Sequence, residues 1–124
     1  MNTAARHQPA RTPNDLGRFF VDLANAGDID GLVALYEPDA VLAFPPGQTT
    51  AGHADIRRAY ETLLSTRPHL THGTPHPPLI NGDVALTATR LADGSVTAEI
   101  ARRQPDGTWL WAVDQPAVHT ADPP

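Results

Sequence analysis

Cysteine and lysine are both absent from this sequence of 124 residues. Without cysteine, the chain has no disulfide, no thiolate nucleophile and no cysteine ligand for a metal. Without lysine, it has no side-chain amine for Schiff-base chemistry. Carboxylates, histidines, hydroxyls and arginines remain as the groups that could carry chemistry.

Long apolar runs and blocks of like charge are also missing. No stretch approaches the ~20 apolar residues that a membrane-spanning helix needs. Fourteen acidic side chains outnumber nine basic ones, and neither sign forms a cluster. We therefore expect a cytoplasmic protein without a nucleic-acid or membrane partner. The glycines do not form a phosphate-binding pattern, so no cofactor is expected.

The sequence does contain the signals of one domain. Its length and its 40% apolar content suit a single core. We place this domain at residues 12–117, because the flanking segments 1–11 and 118–124 are polar or proline-rich and show no hydrophobic period. Both flanking segments are expected to be flexible tails.

Apolar residues at helical spacing predict three helices. The first covers residues 16–24 after a Thr-Pro capping signal, the second covers 29–36, and the third covers 54–64. Pro38 ends the second helix. A short apolar stretch at residues 40–44 predicts a first strand.

After the third helix the apolar period becomes alternating, which indicates strands. Turn signals around Gly82, Gly94 and Gly107 divide this half of the chain. They predict four antiparallel strands, at residues 69–80, 84–91, 95–104 and 108–115. Helices followed by a strand meander indicate an α+β domain, with the helices on one face of a curved antiparallel sheet.

Several short motifs share one family resemblance: Phe20-Val21 to Asp28, Leu35-Tyr36, Asp39-Ala40, Pro45, Gly47, Gly52, Ile56-Arg57, and the stretch from Pro105 to Pro116. They resemble the NTF2-like superfamily, specifically its SnoaL-like polyketide-cyclase and ketosteroid-isomerase-like branches. The resemblance implies a cystatin-like cone, in which three N-terminal helices pack on a strongly curved antiparallel sheet that encloses a pocket, usually in a homodimer. It implies no single activity, because isomerases, cyclases, epoxide hydrolases and binding domains share this scaffold.

The isomerase site is incomplete when the family's residues are transferred one by one. The phenol that would stabilise an oxyanion falls at Phe20, and the carboxylate that would move the proton falls at Phe44. Neither ring can exchange a proton. The third group, a carboxylic acid kept protonated by an apolar site, falls near Glu99. Ordinary ketosteroid isomerase activity is therefore not expected.

Asp114 is the leading candidate for a replacement base. Side chains alternate along a strand, so Leu110, Ala112 and Asp114 share a face that the resemblance makes pocket-lining. The cyclase branch is taken to use a carboxylate from its C-terminal strand as the acid/base. Walls formed by Phe20, Phe44 and Ala112 would raise the pKa of Asp114 by desolvation. The alternative is that Asp114 caps the strand or pairs with an arginine at the rim.

Arg90 and Glu99 complete the candidate catalytic set. Arg90 shares a face with Val84, Leu86 and Ala88, which the resemblance turns inward, and its guanidinium could hold an enolate oxygen there. Glu99 could donate a proton. The alternatives are that the Arg90 side chain reaches solvent and that Glu99 is only its counter-ion.

The expected substrate-binding side chains surround this set: Phe20, Phe44, Tyr60, His72, Ala88 and Ala112. His72 could act there as a proton relay. A metal site built on His69, His72 and His76 is not expected. His72 and His76 would stand about 13 Å apart on one strand face, and His69 would point to the other.

Two functions stay open. The chain could be a cofactor-free acid/base enzyme acting on a small apolar carbonyl or polyketide-like substrate, with Asp114 removing a proton and Arg90 or Glu99 stabilising the enolate. It could instead be a non-catalytic small-molecule binder or dimerisation module with a filled pocket. Strict alternation places Trp109 and Trp111 opposite Asp114, which predicts a homodimer through that sheet face.

Overall fold

The computed structural model describes residues 8–119, which contain three helices and seven strands. The helices are α1 (Asp15–Ala26), α2 (Ile29–Val33) and α3 (His53–Leu64). The strands are β1 (Tyr36–Leu42), β2 (Thr50–Ala51), β3 (Thr74–Pro75), β4 (Leu79–Asn81), β5 (Val84–Arg90), β6 (Val96–Arg103) and β7 (Trp109–His119). No helix within residues 8–119 is long and apolar enough to cross a bilayer.

The first two helices are separated by a short turn that fixes their relative direction. Gly27 ends α1 in the left-handed conformation, with φ 71°, which a glycine adopts at little cost. The carboxylate of Asp28 then accepts a hydrogen bond of 2.9 Å from the Gly31 amide and caps α2. Both helices therefore end and begin at chemically suitable residues, and both turn apolar side chains toward the sheet.

The sheet has the order β2-β1-β7-β6-β5-β3, and β4 also pairs with β5. It is curled and unclosed, and the helices lie on one face. Most pairings are antiparallel as expected, but β1 runs parallel to β7. The core between helices and sheet is apolar, and its largest fully buried side chains are Leu16, Leu32, Tyr36, Leu42 and Ile56.

A bulge in β7 changes which side chains face the core. Ala101 pairs with Trp111 while Ile100 pairs with Val113, so Ala112 is an extra residue without a partner on β6. Trp111 and Asp114 consequently point to the same face, although strict alternation predicted opposite faces. Trp109 is only 5% exposed and Trp111 only 4% exposed in the single chain, and both belong to its core. The predicted homodimer face carrying Trp109 and Trp111 is therefore wrong.

The orientation predicted for β5 is also wrong. Thr87 is buried opposite Glu99 on β6, and Ala85 is buried in the core. The alternate residues lie on the outer face of the sheet, where Leu86 is 50% exposed and Arg90 is exposed. Periodicity showed that Arg90 shares a face with Leu86, but it could not show which face meets the helices.

Several further boundaries differ from the sequence-based expectation. Tyr36 begins β1 and does not end α2, which stops at Val33. The long strand predicted at residues 69–80 is reduced to β3 and β4, because prolines interrupt the ladder. Ala10, in the expected N-terminal tail, is buried, and its carbonyl oxygen accepts from the Trp109 amide at 3.0 Å. Residues 118 and 119, expected to begin the C-terminal tail, belong to β7. The remaining tail segments 1–7 and 120–124 lie outside the described residues.

Candidate functional site

A row of polar side chains crosses the inner face of the sheet. Asp114 on β7 pairs with Glu99 on β6, and Glu99 pairs with Thr87 on β5. All three are buried, with exposures of 6% for Asp114, 8% for Glu99 and 4% for Thr87. The Thr87 hydroxyl donates to a Glu99 carboxylate oxygen at 2.6 Å. Two neighbouring carboxyl groups are thus held inside an apolar core, where an ionised group is costly.

Two phenols extend this row toward the helices. The Tyr36 hydroxyl donates to Oδ2 of Asp114 at 2.5 Å. The same hydroxyl lies 2.5 Å from the hydroxyl of Tyr60 on α3. Tyr36 is the first residue of β1 and pairs with Trp111 on the parallel strand β7. This pairing brings its side chain within reach of Asp114. Asp114, Tyr36 and Tyr60 therefore form one continuous hydrogen-bonded chain.

Burial shifts the pKa values of the ionisable side chains in this interior. It raises the pKa of Asp114 to about 7, the hydrogen bond from Tyr36 opposes the rise, and the charge of Glu99 adds to it. Burial also raises the pKa of Glu99, against hydroxyl hydrogen bonds from Thr87 and Thr97. The pKa values of Tyr36 and Tyr60 are raised by burial as well, so both phenols stay protonated. Asp114 is thus the group poised to exchange a proton near neutral pH.

Aromatic rings surround the hydrogen-bonded chain. Phe20 packs edge-on against Tyr60 with ring centroids 5.6 Å apart, and Phe44 stacks on Tyr60 at 6.4 Å. The indole of Trp111 lies 5.2 Å from the Tyr36 ring and 6.0 Å from Phe20. Phe20 and Phe44 are half-buried, so these two rings separate the polar chain from solvent.

One buried donor in this interior has no partner. Among the described residues, the indole nitrogen Nε1 of Trp111 makes no hydrogen bond although it is buried. Unpaired buried donors are uncommon in folded proteins. The interior therefore contains a donor without an acceptor, on a ring that packs against Tyr36.

The structure brings together Asp114, Glu99, Phe20, Phe44 and Tyr60 from the expected site, and it separates the others. Arg90 is exposed on the outer face, and Ala88, paired with Ala98, lies on that same face. His72 is exposed and bonds Asp22 of α1 at 3.0 Å. Ala112 is buried at the bulge. The expected inward orientations of Arg90, Ala88 and His72 are therefore wrong.

Tyr36, Thr87 and Trp111 are the site residues that sequence periodicity missed. Tyr36 was placed in a helix, although Pro38 disfavours helical backbone at the residue before it, which was a usable signal for a strand. Thr87 lies on the face of β5 that was taken as the outer one. Trp111 was misplaced by the bulge, for which the sequence carries no signal that we can identify.

Two clefts at the surface of the described residues lie elsewhere. One of about 360 Å³ is bounded by α1, the turn into β1 and the start of β7, with Phe19, Leu23 and Trp109 in its wall. The other, of about 430 Å³, lies at the β6–β7 turn beside Arg103. Neither is lined by Asp114 or Glu99. Within residues 8–119, no three side chains of metal-ligating type lie close enough to share an ion.

Residues 17–118 match the family model of the SnoaL-like domain. A candidate calcium/calmodulin-dependent protein kinase type II association domain from Thiobacillus denitrificans superposes with a TM-score of 0.74 at 13% identity, covering 87% of this chain and 95% of that one. A candidate dehydratase of the NTF2-like family from Streptomyces avermitilis gives 0.66 at 15% identity, with coverages of 86% and 94%. A ketosteroid isomerase-like protein from Erwinia carotovora atroseptica gives 0.61 at 19% identity, with coverages of 82% and 88%.

At these identities the solved structures establish a shared cystatin-like fold and nothing finer. No curated protein matches the sequence significantly. The fold expected from the sequence is confirmed, with three helices on one face of a curled, mostly antiparallel sheet.

Proposed function

This chain belongs to the SnoaL-like domain family, and from that premise we propose that it is a small-molecule pocket protein with cofactor-free acid/base activity. The substrate class is a small apolar carbonyl or polyketide-like compound. The observation that carries the proposal is Asp114, a buried carboxylate with its pKa raised to about 7 and a phenol hydrogen-bonded to it.

Asp114 acts as the base in this proposal. At neutral pH about half of it is ionised, and a desolvated carboxylate is a stronger base than one in water. It takes a proton from the carbon beside the substrate carbonyl, while the Tyr36 hydroxyl holds the carboxylate in place. The same proton, returned by Asp114 to a different atom, completes an isomerisation or a ring closure.

Glu99 tunes this base. Its charge, together with burial, raises the pKa of Asp114 to about 7. Arg90 has no part in this mechanism, because it is exposed on the outer face. Within residues 8–119 no buried arginine is available to stabilise the enolate, and the unpaired donor in this interior is Nε1 of Trp111.

Deuterium exchange at the α-carbon of 2-tetralone tests this proposal. The protein is incubated with the ketone in D₂O at about pH 8, and loss of the α-proton signal is followed by proton NMR. We expect the wild type to accelerate exchange, and Asp114→Asn to reduce that acceleration about 100-fold or more. Asp39→Asn, which changes an exposed aspartate, should keep it. Equal rates for wild type and Asp114→Asn would contradict the proposal.

A second function is favoured by the outer face of the sheet. A straight row of apolar side chains crosses five strands there, through the register pairs of Leu79, Leu86, Ile100, Val113 and Val41. Each is at least 38% exposed in the single chain, and Leu79 reaches 71%. We refer to these five residues as the outer row. A contiguous apolar surface of this kind is typical of an interaction site.

We propose that the outer row is the interface of a homodimer. A nearly linear apolar row can lie across a copy of itself about a two-fold axis, so one surface serves both partners. The association domain that shares this fold makes an assembly role a natural second candidate, either alone or together with the interior chemistry.

Light scattering of the intact chain tests the homodimer. We expect the mass of a dimer for the wild type and of a monomer for Ile100→Lys, because the substitution places two charges in the centre of the interface. Glu61→Lys, on the exposed side of α3, is the matched control and should remain dimeric. A monomeric wild type at about 100 μM, above the micromolar Kd of a weak but specific dimer, would exclude this interface.

A further inference from the structure

The interior row of carboxyl groups has no basic counterpart. None of the arginines in residues 8–119 is buried, and those with carboxylate partners make surface ion pairs, such as Arg102 with Glu37 and Arg57 with Asp30. The half-buried His53 lies against the carbonyl oxygen of Tyr36 at 2.8 Å and not against a carboxylate. Glu99 therefore raises the pKa of Asp114, and no cation offsets that effect.

This arrangement has a consequence for ligands. A carboxylate that entered the interior would meet two buried carboxyl groups, in a medium where like charges interact far more strongly than in water. An uncharged ligand avoids that repulsion. A like-charge contact in a desolvated interface is strongly unfavourable.

We propose that Glu99 sets the charge selectivity of the interior site, which accepts small uncharged carbonyl compounds and rejects carboxylates of the same shape. The inference rests on the proposed function, because it assumes that ligands enter the interior. Glu99 is the group to vary, because Asp114 is the base of the proposed function, whereas Glu99 is bonded by the hydroxyls of Thr87 on β5 and of Thr97 on its own strand.

The unpaired indole of Trp111 is an independent observation in favour of such a ligand. Its Nε1 donor is buried and lacks an acceptor. The indole belongs to the same interior, because its ring packs on Tyr36, the residue that bonds Asp114. Phe20, which is half-buried, also packs against the indole ring. A ligand carbonyl oxygen that reached Nε1 would complete this hydrogen bond, and an alkyl group would not.

Three isosteric probes separate charge from shape: benzamide, benzoate and benzamidinium. Each is titrated at about pH 8 into ¹⁵N-labelled protein, and the Kd is taken from shifts of the amide signals of Asp114, Glu99 and Thr87. We expect benzamide to bind at least tenfold more tightly than benzoate, and benzamidinium to bind no more weakly than benzamide. We also expect the Trp111 indole signal to move downfield with benzamide.

Glu99→Gln is the decisive variant. It should tighten benzoate binding about tenfold and leave benzamide within about twofold, because it removes the charge and keeps the shape. Glu61→Gln removes an exposed carboxylate from α3 and should change neither value. If Glu61→Gln shifts neither Kd, the tighter binding of benzoate to Glu99→Gln is not a general effect of net charge.

The outcomes distinguish this inference from the proposed function. If benzoate binds as tightly as benzamide, or if Glu99→Gln leaves their ratio unchanged, the selectivity is overturned while an interior ligand site stands. If no probe shifts the signals of the inner strands, both the selectivity and the interior site fail. If the selectivity holds and no deuterium exchange is found, the chain is a selective binder without catalysis.

Discussion

The hydroxyl of Tyr36 donates a 2.5 Å hydrogen bond to the carboxylate of Asp114, 78 residues away in the sequence. This bond favours the ionised carboxylate, whereas burial favours the protonated one. Burial prevails, because the pKa of Asp114 is raised to about 7 despite the bond. The parallel pairing of β1 with β7 makes the contact possible by placing Leu42 beside Asp114 and Tyr36 beside Trp111.

Removing the Tyr36 hydroxyl should raise the pKa of Asp114 further. In Tyr36→Phe, the carboxylate loses a hydrogen bond that stabilises its ionised form, while its burial is retained. The variant also leaves the Tyr60 hydroxyl without its partner, which should cost about 1–3 kcal/mol of unfolding free energy. Carbon-13 NMR of the carboxyl group measures the first effect and thermal unfolding the second.

Tyr60→Phe is the matched control for that variant. The Tyr60 hydroxyl contacts Tyr36 and makes no hydrogen bond to Asp114 in the described residues. Its removal should therefore shift the pKa of Asp114 less than Tyr36→Phe does. A larger shift in Tyr60→Phe would show that the order of the hydrogen-bonded chain is wrong.

Asp114→Asn should stabilise the fold at high pH. Between about pH 4 and pH 7 the native state binds more protons than the unfolded state, so the aspartate contributes less stability as the pH rises through that range. The difference between the folded and unfolded pKa of Asp114 corresponds to a gain of about 4 kcal/mol in unfolding free energy when the charge is removed. The unpaired buried amide of the asparagine offsets about 1–3 kcal/mol of this gain. We expect a net gain of about 1–3 kcal/mol at pH 8 that vanishes or reverses at pH 5.

Thermal midpoints of the wild type and Asp114→Asn at pH 5 and pH 8 measure this gain, with Asp39→Asn as the exposed control. A lower midpoint for Asp114→Asn at pH 8 would indicate that the carboxylate is stabilised by an opposite charge, which no side chain in residues 8–119 supplies.

The sequence predicted the helices well and the orientation of the strands poorly. Gly27 and Asp28 marked the junction of α1 and α2 because turn geometry depends on local chemistry. The inward face of β5 depends on what packs against it, and both faces of that strand carry apolar residues such as Ala85 and Leu86. Local pattern alone cannot choose between two apolar faces.

The bulge at Ala112 had the largest effect on the predicted site. One extra residue moved Trp109 and Trp111 from the expected dimer face into the core, while Asp114 stayed inward. A bulge is a matter of register between β6 and β7, which are paired only in the folded chain. Asp114 and Glu99 were nevertheless predictable as neighbours of Phe20, Phe44 and Tyr60, because the family resemblance implied which segments of the chain pack together.

Trp111→Ala should lower stability and leave the association state unchanged. Its indole is 4% exposed and packs on Phe20 and Tyr36, so truncation leaves a cavity that costs about 3–5 kcal/mol. Val113→Ala, at the neighbouring outer position, should cost far less. Denaturant unfolding gives both values. If Trp111→Ala were monomeric while the wild type is dimeric, and equally stable, Trp111 would lie in an interface and not in the core.

Thr87→Val should raise the pKa of Glu99. Valine keeps the shape of threonine but removes the 2.6 Å hydrogen bond that favours the ionised carboxylate. Thr89→Val is the control, because Thr89 lies two residues further along β5 and its side chain makes no hydrogen bond to Glu99 within the described residues. Carbon-13 NMR titration of the Glu99 carboxyl group gives its pKa in both variants. An equal shift in both would argue against a specific role for Thr87.

The most direct test is the pKa of Asp114 itself. Carbon-13 NMR of a chain labelled at aspartate side-chain carboxyl groups gives the titration of each aspartate, and the signal missing from Asp114→Asn identifies this one. A midpoint near pH 7 is expected for a buried carboxylate that can act as a base at neutral pH. A midpoint at or below the usual value of about 4 would contradict the proposed acid/base site.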